Sequence, residues 1–384
     1  MFDEFLVWAE VDLDAIAGNA AAIKRHVGGR VAFMAVVKAN AYGHGALPVA
    51  RAALEGGADW LVVNRVHEGA ALRRAGLTAP ILVMGYVPTA AASAVAEHEL
   101  TPAVTTLRLA QALSTASQAA GRPVTVHIKV DTGMGRFGLE PAEAVGFAQA
   151  VSRLPGLRLG GVFTHFATAD AADGTYTAQQ LSVFNQVRAV FSAAGIQVPL
   201  WHAANSPAVL AAPGTYLDGV RVGIALYGLR ASDEVAPALQ LRPALTLTSR
   251  VGQVRTLPAG SSISYGRTYV TTCSTQVALI QCGYGDGYPR LASNRGQVLV
   301  HGRRAPICGR VCMDQLVVDI SGVAGVQAGD EAVLIGCQGD EAIPAEEVAG
   351  WAETINYEVV THLLPRVARI YRRLGQVVSV TEPA

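Results

Sequence analysis

The sequence predicts an α/β fold joined to a mainly β one: an N-terminal (β/α)8, TIM-type barrel over residues 1–240, then a mainly β domain over 241–384, to which the first ~10 residues can also belong. Three observations carry this. Eight short apolar runs alternate with longer amphipathic ones from residue 12 to about residue 230. The residues able to do chemistry fall at or just after the C-terminal ends of those runs, the face where a barrel gathers its active site. Beyond residue 243 the alternation stops and short β-type runs bounded by Gly and Pro take over.

The runs read as barrel strands are 32–37, 60–63, 81–84, 101–104, 124–130, 161–164, 200–203 and 220–226. A doubly wound open sheet is the rival arrangement for such an alternation. Between the strands the clearest helix is 177–194. Thr177 and Gln180 form a capping-box pattern there, Leu181, Phe184, Val187 and Phe191 recur at helical spacing, and Gly195 stops the run. Pro141 is placed to open another helix. The polar stretch 230–237, with Pro243 following, reads as a linker. After it come β-type runs at 245–257, 276–282, 297–300, 316–320 and 331–335, and helical patterning returns from about Pro344 to Leu364. The sequence contains no convincing internal repeat or low-complexity segment.

Composition narrows the classes of function. With 384 residues, half of them apolar, the chain can build two domains and a large core. Its formal net charge is zero, without a basic or acidic block, so it carries no electrostatic footprint for nucleic acid or an anionic membrane. A small, neutral partner is the expectation. The opening Met1-Phe2-Asp3-Glu4 is acidic rather than the basic start of a secretory signal, and no apolar run approaches a membrane span. Five cysteines, all in the last third, suit free thiols in a reducing cytoplasm. Cys308 and Cys312 lack a second ligand pair, so no metal site is expected.

The chain has three lysines, at 24, 38 and 129, against twenty-seven arginines. Lys38 stands where an apolar strand runs into the polar turn Ala39-Asn40-Ala41-Tyr42-Gly43-His44-Gly45. Burial there lowers an ammonium's pKa and leaves an amine able to form a Schiff base with a carbonyl compound. A lysine snorkelling to solvent is the bland alternative. Arg136, His165 and the pair Asn205-Ser206 follow proposed strand ends, and Arg221 lies at the start of the last strand. Taken alone, His165 is as readily a satisfied core histidine. Gly283-Tyr284-Gly285-Asp286-Gly287 has the look of a phosphate loop but precedes no helix pattern, so it reads as a turn.

Nine stretches, in order and across both domains, resemble the bacterial alanine racemases, the fold-type III group dependent on pyridoxal 5'-phosphate (PLP). They are residues 36–45, 129–136, 164–167, 202–206, 221–224, 264–267, 283–290, 309–314 and 356–358. The resemblance implies an N-terminal barrel, a C-terminal β domain and a homodimer in which each subunit completes the other's active site. It implies that Lys38 carries PLP and acts as the base on one face of the substrate, with Tyr265 of the partner subunit as the base on the other. A phenol ionises near pH 10, so a tyrosine base needs positive surroundings.

By the same resemblance, Arg221 faces the pyridine nitrogen. A guanidinium does not readily give up a proton, so that nitrogen stays unprotonated and the ring becomes a weaker electron sink, which suits a dedicated racemase. His165 supports Arg221 and the ring. Tyr42, Asn205, Ser206, Tyr357 and the backbone of Gly223 and Ile224 surround the cofactor and its phosphate. Arg136 and the main chain at Met313 receive the substrate carboxylate, with Arg136 also reaching the cofactor's phenolic oxygen. Lys129 matches a lysine often carbamylated in the family, whose added negative charge orients the arginine. Tyr284, Arg290, Arg310 and Asp314 line the entrance, although either arginine reads equally as a surface residue, and Asp314 as a solvated turn carboxylate or a member of the Lys129–Arg136 network.

The expected reaction is interconversion of L- and D-alanine, supplying D-alanine for peptidoglycan. A broad-spectrum or serine-accepting racemase keeps the same chemistry with a wider pocket. A non-catalytic PLP-binding protein built on the barrel alone lacks the β domain and Tyr265, and a decarboxylase is opposed by Arg221.

Overall fold

The computed structural model describes residues 4–235 and 238–383. Met1–Asp3 of the acidic opening and Ala236–Pro237 of the expected linker lie outside those residues. The chain divides into two compact units. Of the described residues, one holds those within 16–41 and 46–242; the other holds those within 4–15, 42–45 and 243–383.

The strands in chain order are β1 (Val7–Asp12), β2 (Ala32–Val36), β3 (Trp60–Val63), β4 (Ile81–Val83), β5 (Thr101–Val104), β6 (Val124–Lys129), β7 (Leu157–Phe163), β8 (Trp201–His202) and β9 (Gly219–Val222). β2 to β9 form a closed parallel barrel in sequence order. Closure comes from β2 against β9, with Ala32 opposite Gly219 and Met34 opposite Arg221, and it excludes the open sheet. The barrel expected from the alternation is therefore the fold of the first unit.

In the barrel, several strand boundaries differ from expectation by one residue, and two differ by four residues for physical reasons. β7 begins at Leu157 rather than Gly161 and pairs with β6 from Val124 onward. Gly160-Gly161 lies within the strand and clears space inside the barrel: a Cβ on Gly161 would sit 2.7 Å from Cε1 of His127. β9 ends at Val222, because Gly223 leaves the extended conformation and Ile224–Tyr227 turns as a 3-10 helix.

The helix expected from Thr177 starts at Thr175 and runs to Ala193. No capping box forms. Oδ1 of Asp173 accepts from the Thr175 backbone N–H at 2.9 Å, and Thr177 and Gln180 lie inside the helix with buried side chains. Pro141 does open a helix, as the first residue of a 3-10 turn leading into Ala144–Ser152.

The second unit is built on β10 (Leu245–Leu257). β1 lies antiparallel to β10, with Val7 opposite Ser249, and parallel to Ala368–Arg373, with Trp8 opposite Ala368. The runs at Gln297–Val300, Leu316–Asp319 and Glu331–Gln338 are strands of the same sheet. The helical patterning near the end resolves into two short helices, Ala345–Trp351 and Asn356–Thr361. This is the mainly β domain expected from the sequence. Among the described residues no helix is long and apolar enough to cross a membrane.

Candidate active site

Strand alternation puts His127 and Lys129 of β6 on one face, and barrel closure turns that face inward. Phe163 ends β7, His202 ends β8 and Arg221 lies in β9, so all five side chains crowd the lumen, each buried. Arg221 is the hub. Its Nη1 donates to Nδ1 of His202 at 2.7 Å and to the His202 carbonyl at 3.2 Å. Its Nη2 donates to the carbonyls of Thr164 (2.7 Å) and Ala203 (3.0 Å) and to Nδ1 of His165 (3.3 Å). Every one of these acceptors is neutral. Burial, then the charge of Arg136, lowers the Arg221 pKa to about 9, which leaves it cationic at neutral pH.

Four cations share this end of the barrel. Burial lowers the Lys38 pKa, with a further push from Arg136 that Glu68 opposes. Lys129 is lowered to about 8, by burial first and then by Arg221, with Asp131 opposing. Its Nζ donates to the Phe137 carbonyl at 2.6 Å. Burial, Arg221, Arg136, Lys129 and Lys38 all act to keep His165 neutral. So many mutually repelling cations, with no carboxylate paired to Arg221 among the described residues, make a site shaped for an anion.

The segment after Lys38 explains how its amine is held. Ala39, Asn40, Ala41 and Tyr42 have φ of 51, 54, 53 and 52°, four consecutive non-glycine residues in the left-handed region. Such a turn withdraws backbone groups from ordinary helix bonds. Glu68 compensates: Oε1 accepts from the N–H of Ala39 at 2.7 Å, and Oε2 from those of Asn64 and Arg65. Oδ1 of Asn40 accepts from the N–H of Ala46. Farther along the turn, the Tyr42 ring lies 6.2 Å from that of Tyr357 in the first turn of Asn356–Thr361.

Arg136 is presented by a loop that Asp131 folds. The Asp131 carboxylate accepts backbone N–H groups from Gly133, Met134, Gly135 and Arg136. Burial alone would raise its pKa, but the four donors together hold it below the usual carboxylate range. Around β8 and β9, Oγ of Ser206 accepts from the N–H of Gly223 at 2.9 Å and of Ala225 at 3.4 Å. Asn205 caps the helix Ser206–Ala211 through its Oδ1, so that oxygen serves the fold.

The other expected residues lie in the second unit. Ser264, Tyr265, Cys312, Met313, Asp314 and Gln315 line a cavity of about 400 Å³. Tyr265 is 70% exposed and Met313 53%. The turn that carries Tyr265 is strained, with φ of 62° at Ser264 and 50° at Arg267. Oγ of Ser264 donates to the Arg310 carbonyl at 2.6 Å, and the Arg310 guanidinium packs against Gly266. The Met313 carbonyl accepts from the N–H of Gly285 at 2.7 Å, an approach that Gly283 permits because a Cβ there would meet the Cys312 and Met313 carbonyls at 2.3 and 2.4 Å. Gly283–Gly287 is thus a turn, its middle a short 3-10 helix. Arg290 is exposed in the next turn. Asp314 pairs at 2.9 Å with Arg366, whose Nε holds buried Asp286 at 2.8 Å.

Family models for "Alanine racemase, N-terminal domain" and "Alanine racemase, C-terminal domain" match residues 11–231 and 244–371. The chain belongs to the alanine racemase family. An alanine racemase of Symbiobacterium thermophilum is 50% identical over 364 residues, which cover 95% of this chain and 96% of that one. The alanine racemase structure from Clostridium difficile 630 superposes with a TM-score of 0.94 at 36% identity, covering 98% of each chain. That from Bacillus anthracis, solved with bound L-Ala-P, gives 0.93 at 40% identity, covering 98% of this chain and 97% of that one.

Against this racemase family fold, several residues support the site in ways the sequence did not indicate. Gln180, 1% exposed, accepts from the Ala167 N–H at 2.9 Å and donates to the His165 carbonyl at 3.1 Å, fastening the loop that carries His165. Its pairing with Thr177 in a helix-start pattern concealed that use. Asp131 had a local signal, an Asp two residues before a Gly. His127 and Arg366 had none, since each acts on groups distant in sequence, and neither had the bond from Glu68 to Ala39, although Glu68 also caps Asn64 and Arg65 beside it.

Proposed function

We propose that this member of the alanine racemase family interconverts L- and D-alanine with pyridoxal 5'-phosphate, by two bases working on opposite faces of the substrate. The enzyme is an isomerase of the family described above. The observation that carries the reading is the cluster of Lys38, Lys129, Arg136 and Arg221, with no carboxylate on Arg221 among the described residues. A doubly anionic phosphate with a phenolic oxygen is the kind of group such a donor set fits. When bound, the cofactor takes up the electron pair left as the Cα proton departs.

Lys38 holds the cofactor and, once its amine is free, moves a proton to or from Cα on one face. Its lowered pKa supplies a neutral amine more readily than an ordinary lysine does. Tyr265 of the partner subunit handles the proton on the other face, and its exposure in this subunit suits a residue that works in another copy. Arg221 donates to the pyridine nitrogen without surrendering a proton, and His165 braces it. Tyr42, Asn205, Ser206, Gly223, Ile224 and Tyr357 enclose the cofactor and its phosphate. Arg136 and the main chain of Met313 orient the substrate carboxylate. Lys129, carbamylated, anchors Arg136. Tyr284, Arg290, Arg310 and Asp314 form the entrance of a site shared across a homodimer. The five free cysteines suit a cytoplasmic enzyme that supplies D-alanine for peptidoglycan.

The test is to mix the protein with PLP and L-alanine in deuterium oxide, following optical rotation and Cα deuterium by NMR. Rotation decaying as deuterium enters alanine is the expected result. Bound PLP with alanine keeping both its rotation and its proton would overturn the reading.

A further inference from the structure

The contacts behind Arg221 continue one residue deeper. Nε2 of His202 lies 2.9 Å from Nδ1 of His127, on the far side of His202 from the guanidinium. Both rings are fully buried. Phe163 stacks on His202 at 4.9 Å and 6°, fixing its plane, and Trp60 lies 5.5 Å from the His127 ring. Nε2 of His127 has no hydrogen-bond partner among the described residues.

This geometry determines where the protons are. A guanidinium only donates, so Nδ1 of His202 accepts and carries no proton. The His202 proton is therefore on Nε2, and it is donated to Nδ1 of His127. That nitrogen in turn accepts, which leaves the His127 proton on its own Nε2, the atom without a partner. Reversing either tautomer sets donor against donor at 2.7 or 2.9 Å. Burial and the nearby Arg221 charge also oppose adding a second proton to either ring.

We propose that His127 is a positioning residue: its Nδ1 lone pair locks the tautomer of His202, and so holds Arg221 in place by a chain of neutral acceptors that leaves the full guanidinium charge to the ligand. A carboxylate in the place of His202 would hold the arginine as firmly and neutralise it. The unpartnered N–H of His127 is then the cost of keeping the chain neutral, on the order of an unsatisfied buried donor. The consequence for cofactor affinity rests on the function of Arg221 proposed above; the tautomer assignment does not.

The experiment is nitrogen-proton correlation NMR of protein labelled with 15N-histidine, with and without PLP, with His127→Gln and His202→Gln for assignment. Both rings are expected to be neutral, protonated on Nε2 alone, across about pH 6 to 9. A proton on Nδ1 of either ring, or an imidazolium in that range, would overturn the lock. PLP titrations of two variants test positioning. His127→Phe removes the acceptor and is expected to weaken PLP binding about tenfold, whereas His127→Gln keeps an acceptor oxygen and is expected to stay within about threefold of the parent. Equal affinity for His127→Phe and the parent would overturn the positioning role. Should His127→Phe not fold, the parent spectra and the His127→Gln titration decide it, a loss like that of an acceptor-free site counting against. A parent protein that binds no PLP would sink the proposed function and leave the spectra as the test of the lock.

Discussion

Lys129 shows how one buried amine can be both a liability and a reagent. It is 4% exposed, beside Arg221, and its pKa is lowered from 10.5 to about 8. Below pH 8 the folded protein holds an ammonium at a desolvation cost. Between about 8 and 10.5 the folded state has released that proton while the unfolded chain keeps it, so stability rises with pH in this window. In buffer freed of carbon dioxide, the parent should gain about 3 kcal/mol on Lys129→Met across that window, read from denaturant midpoints. The same neutral amine can take up carbon dioxide, and 13C-bicarbonate should give a carbamate NMR signal that Lys129→Met lacks. Tyr265 makes a different prediction. Tyr265→Phe should still bind PLP but lose racemisation about a hundredfold or more. Deuterium should still enter from solvent on the Lys38 face; full activity in both directions would exclude Tyr265 as a base.

Among the elements, the left-handed turn after Lys38 is the one with most strain. Four residues there lack the glycines that would make their φ angles easy, at an intrinsic cost of ~1–2 kcal/mol per residue. Ala39 is exposed, so glycine at that position loses no buried surface. Ala39→Gly should therefore stabilise the cofactor-free protein by about 1 kcal/mol in chemical denaturation. The turn was invisible in sequence for the same reason, since nothing in Lys38-Ala39-Asn40-Ala41-Tyr42 announces positive φ. The place of Lys38 just past the end of an apolar strand was legible, and a lone lysine there has few purposes. The eight barrel strands were legible because burial on both faces makes them continuous apolar runs. Where reading failed, as at Gly160-Gly161 and Thr177 with Gln180, a local pattern had been recruited by a partner distant in sequence: His127 for the glycines, the His165 loop for the glutamine. His127, one residue of an alternating strand, had nothing to distinguish it from core.

At the scale of the whole molecule, the proposed site, with Lys38 from one subunit and Tyr265 from another, predicts that activity can be rebuilt from two dead proteins. Lys38→Ala and Tyr265→Ala homodimers should each be inactive. Co-folded in equal amounts, they should recover roughly a quarter of parental activity, because half the dimers are mixed and each mixed dimer holds one site with both bases. Recovery should follow the mixed dimer through a two-tag purification. No recovery from a verified mixed dimer would place both bases in one subunit.

The pairing of β1 bears on how the chain is made. Its two neighbours are the strand at 245–257 and the strand at 368–373, and Trp8 meets Ala368 across about 360 intervening residues. β1 leaves the ribosome before either of its partners, first the strand at 245–257 and then the parallel strand at 368–373. The barrel segments can collapse while synthesis continues, but β1 waits with both edges open until 245–257 has emerged, and with one edge open until 368–373 follows. A nascent chain of this protein therefore carries an unpaired apolar strand throughout the synthesis of its barrel, the feature that chaperones bind and that templates aggregation when they do not.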